Sequence, residues 1–113
     1  MPRFLLLAFA LLAASSPALA QTCTTSWTNP AGGEWDEPTN WSNGVPTPLA
    51  TNTVACITLG GTYTVLAGTA DRPFDDLVLI LGGASGTQTL TTSGVIRLTS
   101  ATVRPRGRWE FQD

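Results

Sequence analysis

Short runs in which apolar and polar residues alternate fill the second half of the chain, and glycine or proline separates most of them. A period of two with such punctuation is typical of β-strands. The runs are residues 53–59, 63–66, 87–91, 94–99, 101–103 and 107–111. Residues 77–81 are apolar throughout, which predicts a strand that is covered on both faces or lies at a junction. Beyond the N-terminal segment no run has the 3.6-residue period of an amphipathic helix, so the sequence predicts an all-β fold.

The first twenty residues have the pattern of a secretory signal peptide. Arg3 precedes an apolar run over residues 4–14, and Ala18-Leu19-Ala20 provides small residues at a cleavage position before Gln21. The apolar run of about 11 residues is shorter than the roughly 20 that a membrane-spanning helix needs. We therefore predict a cleaved segment at residues 1–20 and export to the periplasm, the cell surface or the extracellular space.

A tryptophan-rich segment at residues 27–48 precedes the strand runs. Trp27, Trp35 and Trp41 lie among turn-forming residues, with prolines that disfavour a helix. Indole rings among turns suit a small satellite core, so we interpret the segment as a packed cap. The alternative is a carbohydrate-binding module in which the same three rings are exposed and stack on sugars.

Cys23 and Cys56 are the only cysteines of the chain. An exported protein reaches an oxidising compartment, where an even cysteine count favours a disulfide. A closed loop of about 34 residues would stabilise the fold by roughly 3–4 kcal/mol in the chain-entropy description.

The charge pattern excludes several classes of function. Residues 21–113 carry five arginines against eight acidic residues, so the basic face that nucleic-acid binding requires is missing. The chain contains neither histidine nor lysine, which removes the commonest general base and metal ligand and the amine of Schiff-base chemistry. We therefore predict no enzyme activity, no cofactor, no metal and no nucleic-acid partner.

Three clusters of charged residues are candidates for catalysis, calcium binding or polysaccharide binding. Glu34, Asp36 and Glu37 lie between tryptophans, but a chain of this size leaves little room for a glycosidase cleft. An acidic loop around Arg72, formed by Asp71, Asp75 and Asp76, lacks the spacing of a dedicated calcium loop. The residues of the third cluster alternate, so on a strand they would share one face, where they would protect a sheet edge or bind an anionic polysaccharide. It consists of Arg104, Arg106 and Arg108.

The strand runs fit either a small β-sandwich or a solenoid of stacked coils. Glycines followed by a threonine-rich strand at residues 82–91 are echoed loosely at residues 94–99 and 107–111. Short strands between glycine turns favour stacked coils, in which each unit contacts only its neighbours.

The tryptophan segment and the first strands also carry a family resemblance. The family pattern is Trp-x-x-x-x-Gly-x-Trp followed by Asn-Trp-x-x-Gly and a proline. The corresponding residues here are Trp27, Gly33, Trp35, Asn40, Trp41, Gly44 and Pro46, with five residues instead of four between Trp27 and Gly33. Further matches are residues 56–57, 63–65, 79–83 and 86–91. These motifs resemble the N-terminal modules of bacterial secreted β-solenoid proteins, including autotransporter-passenger-like surface proteins. The family has two residues before the proline, whereas Val45 alone separates Gly44 from Pro46 here.

The resemblance implies a right-handed parallel β-helix in a non-catalytic surface, structural or adhesion protein. It divides the exported chain into a cap at residues 21–52 and strand coils at residues 53–113. The family pattern does not include the pair Cys23 and Cys56, so a small β-sandwich that is stabilised by this disulfide remains the alternative. A last coil ending at Trp109-Glu110-Phe111 without a polar cap predicts self-association or a longer parent chain.

Overall fold

A computed structural model describes residues 22–47, 51–69, 71–74 and 76–112 of the protein. The predicted signal peptide at residues 1–20 lies outside these ranges, as do Asp75 and part of the segment between cap and coils. Within the described residues the protein is nearly all strand, which confirms the all-β prediction. The strands are β1 (Thr25–Ser26), β2 (Gly33–Glu34), β3 (Thr53–Ile57), β4 (Tyr63–Leu66), β5 (Arg72–Pro73), β6 (Leu77–Leu81), β7 (Gln88–Thr92), β8 (Ile96–Arg97), β9 (Ser100–Val103) and β10 (Gly107–Phe111).

The strands form three sheets in which every pair of neighbours is parallel. The first sheet has the order β1-β3-β6-β9, the second β10-β7-β4-β2, and the third consists of β5 and β8. Strands that follow each other in the sequence lie in different sheets. A strand therefore pairs with one further along the chain: Thr53 with Leu77, and Tyr63 with Gln88.

The parallel register places apolar side chains of successive strands over one another. In the first sheet Ile57, Leu81 and Val103 share one position of the register. In the second sheet Val65, Leu90 and Trp109 do so. The inner members of both rows are fully buried, whereas Val103, on the edge strand β9, is 48% exposed. Such rows form the core between the sheets, because burial of apolar surface is the main favourable contribution to folding.

Tight turns at the glycines allow the chain to pass from one sheet to the next. Gly86 has φ +73°, and a Cβ atom there would overlap the backbone of Gly61. Gly83 lies equally close to the carbonyl of Thr58. Gly86 therefore requires glycine both for its backbone conformation and for the close approach of Gly61, whereas Gly83 requires it for the close approach of Thr58 alone.

The observed strands agree with several predicted runs. The predictions at residues 63–66, 77–81 and 107–111 match β4, β6 and β10. The fully apolar run is β6, which lies between β3 and β9 in its sheet. The short strands β2 and β5 were not predicted, because each has two residues, one of them a glycine or a proline. The tryptophan segment also contains a short 3₁₀ helix, Pro38–Asn40, which begins at a proline.

Two sequence interpretations were wrong. Arg104, Arg106 and Arg108 do not alternate along one strand, because Arg104 and Arg106 lie in the turn before β10. The repeat was also assigned the wrong phase: residues 88–92 pair with β4 and β10, whereas β8 belongs to the third sheet. Among the described residues, no helix has the length and apolar character required to cross a membrane.

Candidate functional site

The three tryptophans of the cap form one aromatic cluster at the end of the sheets where β1 and β2 are the edge strands. The Trp41 ring lies edge-on to both others, with ring centroids 5.3 Å from Trp27 and 5.0 Å from Trp35. Tyr63 of β4 stacks on Trp27 at 6.5 Å, and Phe74 lies 6.2 Å from Trp35. The cluster therefore packs the cap against the following strands, with edge-to-face geometries that aromatic rings favour.

Hydrogen bonds fix the orientation of two of the indoles. Trp41 Nε1 donates to the carbonyl of Trp35, and Trp27 Nε1 donates to the carbonyl of Asn29, each at 2.7 Å. Trp35 Nε1 is buried and has no hydrogen-bond partner among the described residues. Tyr63 donates its hydroxyl proton to the Leu59 carbonyl, and burial raises the pKa of this phenol to about 12.

The burial of the cluster supports the packed-cap interpretation. Trp27, Trp35 and Trp41 are 2%, 1% and 4% exposed. A sugar can stack only on an accessible ring face, so this burial weighs against the carbohydrate-binding alternative. Two open depressions of about 240 and 360 Å³ lie elsewhere, and no tryptophan lines either of them.

A buried asparagine organises the backbone of the cap. Asn40 is 6% exposed, accepts a hydrogen bond from Asn29 Nδ2 at 2.9 Å and donates to the Glu34 carbonyl at 3.0 Å. Asn29 also accepts from the N–H of Ala31 at 2.9 Å. In the Asn-Trp pair of the sequence motif, Asn40 thus joins two parts of the cap by hydrogen bonds, and Trp41 belongs to the aromatic core.

An ion pair links the cap to Arg72, the first residue of β5. Arg72 donates to both carboxylate oxygens of Asp36 at 2.8 Å and also to the Ala67 carbonyl, and its guanidinium lies 5.8 Å from the Trp35 ring centroid. The hydrogen bond from Arg72 holds the pKa of Asp36 below its usual value. A glycosidase acid needs a raised pKa, so Asp36 is unsuited to that role.

Asp71 and Asp76, of the acidic cluster around Arg72, also have partners. Asp71 accepts from the N–H of Val95 at 3.0 Å, and Asp76 accepts from the N–H of Asn52 at 2.8 Å. Both carboxylates thereby connect segments that neighbour each other in the fold. In the described ranges, no group of three or more acidic, cysteine or histidine residues is arranged to hold a metal ion.

The structure joins Cys23 and Cys56 in a disulfide, with their Cα atoms 5.9 Å apart. Cys56 lies in β3 and is completely buried. The bond therefore anchors the segment before β1 to the second strand of the first sheet, which confirms the predicted pairing.

Sequence reasoning missed the role of Gln88, which is completely buried. Its Nε2 donates to the carbonyls of Gly61 and Ser85 at 2.6 and 2.7 Å, and its Oε1 accepts from the Gly83 N–H at 2.6 Å. A glutamine can satisfy these groups together because its amide combines two donor protons with an acceptor. The sequence feature that could have indicated this role is the position of Gln88. It alternates with the apolar Leu90 along β7, on the buried side of the strand, and it follows the turn at Gly86.

Comparison of the chain with protein-family models, curated proteins and solved structures gave no match.

Proposed function

We propose that this protein is a non-catalytic, exported structural module that acts in surface architecture or adhesion. Its three parallel sheets are the faces of a right-handed β-solenoid, and the tryptophan segment is the N-terminal cap of that solenoid. The observation that carries the proposal is the order in which the strands pair. β3 pairs in parallel with β6, β4 with β7 and β5 with β8, so three consecutive strands lie beside the next three. The handedness follows from the strong preference of parallel crossovers for the right-handed form.

The cap supplies what a solenoid requires at its first coil. Edge strands with unpaired backbone groups invite association with other chains, and proteins cover them with other segments. Here β1 and β2 are the edge strands. The Trp27–Trp41 segment contains β2, and an antiparallel bridge between Trp27 and Trp41 brings its second end beside β1, where the Ser42 N–H donates to the Ser26 carbonyl. Buried aromatic rings thus close the core at this end.

Three of the carboxylates that could perform chemistry have structural partners. Asp36 is paired with Arg72, and Asp71 and Asp76 accept backbone hydrogen bonds. This use of the acidic groups favours a structural role over a catalytic one. The disulfide is compatible with an oxidising destination, which supports export.

Export can be tested by following the protein in bacterial cell fractions. The wild-type protein is expected outside the cytoplasm, shortened by the signal segment and disulfide-bonded. A Leu7→Arg variant, with a charge in the apolar run, is expected to remain cytoplasmic, full-length and reduced. A Leu7→Ile variant is the matched control and is expected to behave like wild type. Protease treatment of intact cells then separates surface display from periplasmic retention. Wild-type protein found uncleaved in the cytoplasm would contradict the proposal.

A further inference from the structure

Strand β10 ends the second sheet and leaves one long edge open. It pairs with β7 on one side, and within residues 22–47, 51–69, 71–74 and 76–112 no strand pairs with its other side. Phe111 on this strand is 74% exposed. An edge with unpaired backbone groups and exposed apolar side chains is a surface on which a further strand can pair.

The hydrogen bonds to β7 show which backbone groups face this open edge. Gln88 N–H donates to the Arg106 carbonyl, and Gln112 N–H donates to the Thr92 carbonyl. Because successive residues of a strand direct their N–H and C=O groups to opposite sides, Trp109 and Phe111 direct theirs away from β7. Gly107 offers its carbonyl there, since its own N–H donates to Arg104.

Trp109 lies between two oppositely charged residues of β10, Arg108 before it and Glu110 after it. Arg108 and Glu110 share one face of the strand and form an ion pair of 2.6 Å, although their side chains are 67% and 38% exposed. Gly107, Trp109 and Phe111 occupy the opposite face. A strand whose residues on either side of a central position carry opposite charges is complementary to itself in the antiparallel direction.

We propose that the open edge of β10 binds a second copy of this chain through antiparallel β10–β10 pairing centred on Trp109. In this register the two Trp109 residues exchange both backbone hydrogen bonds. Arg108 then lies opposite the partner's Glu110, and Glu110 opposite the partner's Arg108. These positions are the non-hydrogen-bonded pairs, in which side chains of neighbouring strands approach most closely.

The two neighbouring symmetric registers are disfavoured by charge. Centring the pair on residue 108 places Arg108 opposite its own copy, and centring it on residue 110 does the same with Glu110. Like charges directly opposite each other destabilise a strand pair. Centring on Trp109 also places the exposed Phe111 ring opposite the partner's Gly107, which has no side chain to obstruct it, and an aromatic ring can cover a glycine on a neighbouring strand.

Charge reversal on one strand provides the test. Arg108→Glu gives a strand with two glutamates, and Glu110→Arg gives a strand with two arginines. Each variant alone is expected to dimerise at least about tenfold more weakly than wild type, because two attractive pairs become repulsive. An equimolar mixture of the two variants is expected to form heterodimers in excess of the statistical proportion. In a heterodimer the two glutamates of one strand lie opposite the two arginines of the other. Sedimentation velocity and native mass spectrometry of the exported protein measure both effects.

Three controls complete the design. The double variant Arg108→Glu/Glu110→Arg restores the pattern and is expected to dimerise like wild type. Arg104→Glu and Glu37→Arg make the same changes in net charge at exposed positions outside β10 and are expected to leave dimerisation unchanged. A wild-type monomer at about 100 µM, or single variants that dimerise as tightly as wild type without heterodimer preference, would overturn the inference. A further segment of the same chain paired with β10 would also give the monomer result. The test relies on strand pairing and not on export, so it can fail independently of the proposed function.

Discussion

Replacing Trp41 with alanine is expected to lower the free energy of unfolding by about 3–5 kcal/mol, the range for truncating a buried tryptophan. Trp41 is 4% exposed and contacts both other tryptophans of the cap. Its removal leaves a cavity at the centre of the aromatic cluster and frees the Trp35 carbonyl that its indole N–H now satisfies. Urea unfolding followed by circular dichroism measures the loss.

Trp41→Phe is the companion variant. It keeps an aromatic ring in the cluster but loses part of the ring and the indole hydrogen bond, so a smaller loss is expected. It also provides a folded protein for measurement if the alanine variant does not fold. Alanine and phenylalanine variants that both unfold like wild type would show that the cluster does not stabilise the cap.

Removing the disulfide is expected to cost about 3–4 kcal/mol of stability by the chain-entropy description. The bond spans a sequence separation of 33 residues and ties the segment before β1 to the buried β3. The variant to use is Cys23→Ala/Cys56→Ala, because a serine at the buried position 56 would introduce a hydroxyl group that needs a partner.

Wild-type protein under reducing conditions is the matched control for this variant. Reduction is expected to bring the wild-type unfolding midpoint close to that of the double variant, and the double variant itself should not respond to the reductant. A double variant as stable as the oxidised wild type would show that the sheets hold the segment before β1 without the bond.

The strand content could be predicted because the alternation of apolar and polar residues is a local signal. The runs at residues 63–66, 77–81 and 107–111 became strands with those limits. The phase of the repeat could not be predicted, because the sequence distance between paired strands is not constant. Tyr63 pairs with Gln88, 25 residues later, whereas Gln88 pairs with Gly107, 19 residues later. Unequal corner lengths hide the repeat from a search for a fixed period.

The tryptophan cluster and the disulfide could also be predicted, because both are indicated by the residue types themselves. A tryptophan cluster among turns, without aliphatic residues, indicated packing, and the two cysteines indicated their own pairing. The ion pair between Asp36 and Arg72 could not be inferred, since it joins residues 36 positions apart that become neighbours only after the cap folds onto β5. The role of Gln88 likewise depends on carbonyls supplied by two separate corners.

The claim that the three cap tryptophans form a structural core can be tested most directly by fluorescence of the Trp109→Phe variant. This substitution removes the tryptophan outside the cap and leaves Trp27, Trp35 and Trp41 as the fluorophores. Because the three rings are buried, we expect blue-shifted emission that is protected from iodide and unchanged by soluble oligosaccharides. Red-shifted emission that is quenched by iodide and altered by oligosaccharides would contradict it and would identify the cluster as an exposed sugar-binding surface.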